Sequence, residues 1–288
     1  MKKVIEIFQI DAFTDKPFCG NPAGVTITEE LTDDEKQLVA REMNLSETAF
    51  ITNSKIADFK LQWFTPTKEV DLCGHATIAS LHFLHQKNIL FEEKNISFET
   101  RSGIINCYMS AEKYFMQIPL PKLSEFDECK EEVLSALNLT KTDVSDLPFI
   151  LLNTGYLFIT VNSLNALYNI KPDFNLLSEL SEKKQEFFDV AVFTQETLEV
   201  NSSAHLRFFA PYHGINEDPV TGSACGPLLP VMIKLGIIKN YQSNKIVTYE
   251  QGDSLNRKGR VDVKYDLEQQ ELYISGNAVT ILEGKISV

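Results

Sequence analysis

Two segments place glycine and hydroxyl-bearing residues at the start of an apolar run: Gly74-His75-Ala76-Thr77 and Thr221-Gly222-Ser223-Ala224. The runs that follow, to about Lys87 and about Leu235, read as helices. A helix start leaves backbone N–H donors without intrahelical partners and carries a partial charge near +0.5. Glycine there allows close approach to the backbone. Such a start holds a small carboxylate, with each charge-assisted contact worth about 1.5–3 kcal/mol. The same residue types also make ordinary helix caps, so either start taken alone has a purely structural explanation. The repetition of the feature is what favours a ligand site.

Three titratable residues belong to this pattern. His75 lies in the first start, although a lone histidine also serves as a satisfied packing residue. Asp218 precedes Pro219 just before the second start and equally fits an N-cap or Asx-turn role. Glu47 opens a strand after Asn44-Leu45-Ser46, and on pattern alone it reads as a solvated strand end. Cys73 and Cys225 stand near the two starts, where the helix dipole lowers a thiol pKa; a buried, inert thiol is the other reading. Other chemistry is disfavoured. Gly20-Asn21-Pro22-Ala23-Gly24 lacks the spacing and strand–helix order of a nucleotide loop and reads as a tight connection between strands. The five histidines show no metal-ligand spacing, so no metal is expected. Ser223 is not in a G-x-S-x-G elbow, which argues against a serine hydrolase.

The elements that must position these residues occur twice. Gln62-Trp63-Phe64-Thr65-Pro66 has its counterpart in Arg207-Phe208-Phe209-Ala210-Pro211, each shortly before one of the helix starts. Upstream, a helix over Thr32 to Met43 and a strand over Glu47 to Thr52 match a helix from Asp173 to about Lys183 and a strand over Val190 to Thr194. Downstream, Ile96 to Thr100 matches Ile246 to Glu250. The offsets are all about half the chain, so the pattern is two copies of one unit. Thr32 with Glu35 forms a capping box, Leu38, Val39 and Met43 supply an apolar face, and Asn44 ends the helix. Further strands are expected over Val4 to Phe8, Gly24 to Thr28, Phe59 to Phe64 and Tyr114 to Ile118. Ala76, Ile78, Ala79, Leu81, Phe83 and Leu84 occupy nearly all sides of their helix, which therefore reads as buried. Each half becomes a strand-rich sheet around one central buried helix. The expected fold is α+β, with two similar lobes related by pseudo-twofold symmetry. One lobe covers residues 1–124, joined by the tail 276–288, and the other covers 125–275, with the active-site cleft between them and a crossover near Pro119-Leu120-Pro121.

Composition narrows the class. The chain has 288 residues, 27 Lys plus Arg and 40 Asp plus Glu, for a net charge of −13. That length suggests about two domains, and the anionic balance without a basic patch argues against nucleic acid. Met1-Lys2-Lys3 followed by Val4-Ile5 imitates a signal peptide, but Glu6 and Asp11 interrupt the run, so a strand is expected. Leu147 to Ile170 carries no charge, yet its five asparagine and serine residues are costly in lipid, and a buried strand with its flanks fits better. Five cysteines without a C-x-x-C pair suit a reducing cytoplasm and no structural zinc.

Five ordered motifs resemble one family. They are Phe8-Gln9-Ile10-Asp11-Ala12-Phe13-Thr14, Gly20-Asn21-Pro22-Ala23-Gly24-Val25, Asn44-Leu45-Ser46-Glu47-Thr48-Ala49-Phe50, Gly74-His75-Ala76-Thr77, and Asp218-Pro219-Val220-Thr221-Gly222-Ser223-Ala224. With the ending Ser275-Gly276-Asn277-Ala278-Val279, they look like the PhzF phenazine-biosynthesis-like family across essentially the whole chain. The resemblance implies the two-lobed fold shared with diaminopimelate epimerase and proline racemase. It implies an isomerase without metal or organic cofactor that moves a proton on a small carboxylic acid. The family's founding activity does so on a dihydro-hydroxyanthranilic acid during phenazine formation. By motif match Glu47 is similar to the general acid/base, and His75 and Asp218 to residues that orient the substrate and steady the transfer. Gly74, Gly222 and Ser223 match the carboxylate-binding helix starts. A homodimer follows family habit. The departures are Cys73 and Ala76, where many members carry other residues. Cys73-Gly74-His75 is the arrangement of the two-cysteine racemases, but Thr221 occupies the place of their second thiolate, and its hydroxyl is far too weak an acid for that role. Two alternatives stay open: an amino-acid or hydroxy-acid racemase using Cys73, and a catalytically idle binding protein on the same fold.

Overall fold

The computed structural model describes residues 3–288; Met1 and Lys2, which begin the run that imitates a signal peptide, lie outside the described residues. Close packing divides the chain into two units, one from the N-terminal residues to Ile118 with Tyr273–Val288, the other Pro119–Leu272. Among the described residues no helix is long and apolar enough to cross a membrane. The fold is mixed α/β and dominated by strands.

In the first unit, β1 (Val4–Ala12) pairs antiparallel with β2 (Asn21–Ile27). Helix α1 (Asp33–Met43) then carries the chain over so that β3 (Glu47–Thr52) lies parallel to β2, with Ala23 opposite Glu47. β4 (Phe59–Phe64) runs antiparallel to β3 and is followed by the short β5 (Glu69–Val70) and by α2 (Gly74–Gln86). β6 (Asn95–Thr100), β7 (Gly103–Ser110) and β8 (Lys113–Ile118) form an antiparallel meander. Helix α2 is buried from Gly74 to Leu81 and again at Phe83 and Leu84, packed on β1, β2, β3 and β8. Its chemistry explains this: a helix with apolar or small residues on every side has no face to offer water.

The second unit contains β9 (Leu123–Phe126), α3 (Lys130–Ala136), β10 (Phe149–Leu152), β11 (Tyr156–Thr160), α4 (Leu164–Tyr168) and α5 (Phe174–Lys184). β12 (Asp189–Thr194), β13 (Ser202–Ala210), β14 (Ile215–Asp218), α6 (Gly222–Lys234), β15 (Val247–Gln251) and β16 (Gly259–Asp266) complete it. Here β12 is parallel to β11 and antiparallel to β13, and α6 packs on β16 and β11. The chain returns through β17 (Glu271–Gly276), which pairs with β8, to β18 (Ala278–Ser287), which lies antiparallel along β1 from Val4 opposite Ser287 to Ala12 opposite Ala278.

The α1 caps are as expected: Thr32 and Glu35 form the capping box, and Asn44 takes the left-handed conformation at φ 50°. Three expectations need correction. Leu38 is 49 % exposed, and the buried face of α1 is instead Lys36, Val39 and Ala40. Lys36 is tolerated inside because its ammonium donates to Asp33 Oδ1 at 2.9 Å and Gln62 Oε1 at 2.7 Å. Asn21 to Gly24 is not a connection but the first half of β2. The uncharged stretch Leu147 to Ile170 holds two strands and a short helix rather than one strand, broken at Gly155, whose φ of +85° ends β10 in a tight turn.

The second unit is tied by a buried ionic network. Glu250 is fully buried; it accepts from the N–H groups of Leu198 at 2.8 Å and Glu199 at 2.7 Å, and faces His205 Nδ1 at 2.8 Å. Burial raises its pKa, but His205 and the two amides outweigh that and hold it at about 2. Because the folded value lies below the ordinary 4.5, this stabilisation is present above pH 4.5 and lost as the pH falls from there towards about 2. Glu250→Gln should lower stability by about 3 kcal/mol at neutral pH and flatten this acid limb. Urea unfolding across that pH range checks both; an unchanged limb would refute the assignment.

Candidate active site

In the first unit, three elements converge on Glu47. The left-handed Asn44 ends α1, and Leu45-Ser46 turns the chain into β3, whose first residue is Glu47. His75 is the second residue of α2, and its Nε2 lies 3.1 Å from Glu47 Oε2. Both side chains are shielded, at 7 % and 12 % exposure. Glu47 Oε2 takes no hydrogen bond, so the contact is a charge pairing in which the ring N–H is not aligned on the oxygen. On the other side of the ring, His75 Nδ1 is 3.3 Å from Asn21 Nδ2 and 3.6 Å from Cys73 Sγ. Asn21 is brought there by Gly20, at φ +61°, where a Cβ would lie 2.1 Å from the Ala12 carbonyl oxygen.

Charge in this group is set by burial. Burial pushes the Cys73 thiol up to about 11, and the neighbouring Glu47 carboxylate pushes it the same way. Of the two readings of this thiol, the buried one holds: desolvation outweighs the helix dipole. The same is true of Cys225, whose complete burial raises its pKa. For His75, burial opposes the charge while Cys73 and Glu47 favour it, and the net direction is up.

In the second unit, Asp218 ends β14 and is nearly buried. The Thr221 hydroxyl donates to Asp218 Oδ2. Gln251, at the end of β15, organises this corner. Its Oε1 accepts the Thr221 N–H at 2.9 Å and the Cys225 thiol at 3.5 Å. Its Nε2 donates to the Asp218 carbonyl at 2.9 Å and to Thr221 Oγ1 at 3.0 Å. Since Thr221 Oγ1 accepts from Gln251, its own proton is directed at Asp218, which fixes that carboxylate as an acceptor. Gly252 makes the approach feasible: at φ +88°, a Cβ there would meet the Arg257 and Pro219 carbonyl oxygens at 2.2 and 2.6 Å. Ser223, in the first turn of α6, lies 3.2 Å from the Tyr156 hydroxyl, and the Tyr156 ring packs edge-on against Phe208. Phe208 in turn stands opposite Asp218 in the β13–β14 register.

The residues singled out from sequence therefore form two groups. Glu47 and His75 meet in the first unit beside Gly74; in the second, Asp218 ends β14 and Gly222 and Ser223 open α6. Sequence reasoning missed Asn21, Tyr156 and Gln251. Asn21 stood inside a quoted motif but was assigned to a turn; Tyr156 and Gln251 carry no local signal, because strand pairing alone brings them in. It also missed that Glu47, Cys73 and His75 place ligand atoms within 4.8 Å of one another, the one such group among the described residues.

A profile of the family described as "Phenazine biosynthesis-like protein" matches residues 10–284. An uncharacterized isomerase of Clostridium acetobutylicum is 36 % identical, with 99 % of each chain covered. The crystal structure of a Bacillus anthracis phenazine biosynthesis protein of the PhzF family superposes with a TM-score of 0.91 at 29 % identity, covering 99 % of this chain and 100 % of that one. A hydroxyproline epimerase from Agrobacterium vitis, with bound trans-4-OH-L-proline, shares the fold at a TM-score of 0.65 and 11 % identity, covering 99 % of this chain and 93 % of that one.

The site makes a prediction about its thiol. Alkylation of Cys73, followed by peptide mass spectrometry, should be slow at neutral pH and rise towards a midpoint of about 11. Glu47→Gln removes the neighbouring negative charge and should shift that midpoint down. An unshifted midpoint would contradict the electrostatic coupling. In the second unit, Gln251→Leu should loosen Thr221 and Asp218 and cost about 1–3 kcal/mol, since it leaves buried groups without partners; thermal and urea unfolding measure this.

Proposed function

Because the chain belongs to the phenazine biosynthesis-like family of isomerases, we propose that it moves a proton from one carbon to another of a small carboxylic acid, with Glu47 as the general acid/base. The observation that carries this reading is the buried Glu47–His75 pair, with one carboxylate oxygen bearing no hydrogen bond. A buried acceptor without a donor carries a desolvation cost of about 1–3 kcal/mol, which a proton taken from substrate offsets.

In this reading Glu47 removes a proton from an acidic carbon, and the electron pair left behind spreads into the substrate's conjugated carboxylate system. The protonated Glu47 then delivers the same proton to a different carbon, so no atom is gained or lost. His75 holds the carboxylate in place during both steps. Within the first unit, the N–H groups at the start of α2, entered at Gly74, are suited to stabilise an anionic oxygen; within the second, those at the start of α6, entered at Gly222, with the Ser223 hydroxyl, offer the same chemistry. Tyr156 helps to hold the Ser223 hydroxyl in position, and Asp218, fixed by Thr221 and Gln251, is held as an acceptor for a polar hydrogen. The matching order of elements in the two units supports reading them as copies of one ancestral unit.

A screen of small carboxylic acids for deuterium incorporation in heavy water tests this. A substrate turned over by the wild type should lose exchange by about 10²–10⁴-fold in Glu47→Gln, with binding nearly intact by calorimetry. Full exchange in that variant would sink the role of Glu47. Tyr156→Phe should raise KM with a smaller effect on kcat. One further reading has an observation behind it, since Cys73 Sγ also touches His75: a racemase using Cys73 as an acid/base. The upward shift of that thiol weighs against it, and loss of exchange in Cys73→Ala would favour it.

A further inference from the structure

Glu47 is distant in sequence from the neighbouring Cys73 and His75, but β3 and the start of α2 bring a carboxylate, a thiol and an imidazole within 4.8 Å of one another. We propose that this trio is a binding site for one soft divalent transition-metal ion, Zn²⁺ or Co²⁺, and that the ion inhibits the enzyme by taking up Glu47. The inhibitory half rests on the proposed role of Glu47; the binding half does not.

The geometry is close to what tetrahedral coordination needs. Zinc bonds of about 2.0–2.3 Å at tetrahedral angles put neighbouring ligand atoms about 3.3–3.6 Å apart. Here His75 Nε2 is 3.1 Å from Glu47 Oε2 and 4.0 Å from Cys73 Sγ. All three ligand atoms lie within 4.8 Å of one another, so side-chain adjustments of up to about 1 Å close the set. Glu47 Oε2 forms no hydrogen bond, and the Cys73 thiol makes no cap bond to the helix it precedes; its contacts at 3.6 and 4.0 Å are to the ring of His75, a member of the same set.

Charge and ligand type choose the ion. The carboxylate and a thiolate together neutralise a dication, as a shielded site requires. Sulfur and nitrogen donors select Zn²⁺ or Co²⁺ over Mg²⁺ or Ca²⁺, which take oxygen. When the metal–sulfur bond forms, the S–H bond breaks and its proton passes to the buffer; no electron changes hands. With Nε2 on the metal, His75 Nδ1 carries the ring proton towards the Asn21 side-chain amide 3.3 Å away, which presents its oxygen when turned. That supplies the supporting hydrogen bond that metal-bound histidines make. Three protein ligands leave a fourth position for water or a substrate oxygen.

Cobalt(II) is the probe. One equivalent added to the whole purified chain should give a thiolate-to-cobalt charge-transfer band in the near ultraviolet. Calorimetry with Zn²⁺ should give one site per chain. Cys73→Ser should abolish the band, and Glu47→Gln should weaken binding at least as much as the roughly 10–100-fold that loss of a mere supporting group costs. Cys19→Ser and Cys129→Ser, at the two partly exposed thiols, should keep the band. Circular dichroism confirms that each variant is folded, and Cys73→Ala serves if the serine variant is not. No band in the wild type, or a band that survives in Cys73→Ser, overturns the site. Zn²⁺ should also slow deuterium exchange by the wild type relative to its metal-free rate. Metal binding in a protein that exchanges no substrate would leave the site standing and remove only the reading of function.

Discussion

Burial of α2 on every side is the constraint from which the first unit follows. A helix with alanine, isoleucine, leucine and phenylalanine around its whole circumference gains from contact in every direction, so strands must surround it. β1, β2, β3 and β8 do so. Once the flanks are covered, the ends are the only parts of such a helix that meet anything else. The N-terminal end carries the unsatisfied N–H groups, and polar chemistry is concentrated there. Glu47, His75, Cys73 and Asn21 gather at this end because the surrounding strands begin or end beside it.

The two units solve the same local problem with different side chains. At the start of α6, Gln251 uses all four of its hydrogen-bonding sites, and the Thr221 hydroxyl is left with one direction in which to donate. That corner is saturated. At the start of α2, Glu47 keeps a buried oxygen without a hydrogen bond, and His75 touches three neighbours loosely, at 3.1 to 3.6 Å. A saturated network holds a geometry, whereas an incompletely bonded one leaves groups able to change proton state. That contrast is consistent with the roles proposed for Asp218, as a fixed acceptor, and for Glu47, as a proton carrier.

Much of this was legible beforehand where a feature is local. The capping box at Thr32 and Glu35, the end of α1 at Asn44, the β3 and β4 strands and the all-round apolar pattern of α2 depend on residues a few positions apart. Glu47 was not legible in that sense. Its neighbours in sequence describe a strand end, and only the resemblance to a family raised it above that. Gln251 and Tyr156 reach the helix starts through strand pairing over long separations, which leaves no periodic trace. Leu38 misled because residue type was weighed without its partners: Lys36 goes inside instead, held by Asp33 and Gln62. The thiols left two readings open, since sequence shows the helix dipole but not the depth of burial that opposes it.

The pairing of β1 with β18 joins Val4 to Ser287. On a ribosome adding about 5–20 residues per second, β1 waits on the order of 15–60 s for that partner to be made. The second unit, continuous in the chain, is fully synthesised before then. During that interval the first unit lacks its closing strand and leaves the outer edge of β1 without its final partner, a row of backbone groups open to any other extended chain. Nascent chains thus pass through a stage in which the half bearing Glu47 depends on protection from outside, and the last strand both completes the sheet and ends that exposure.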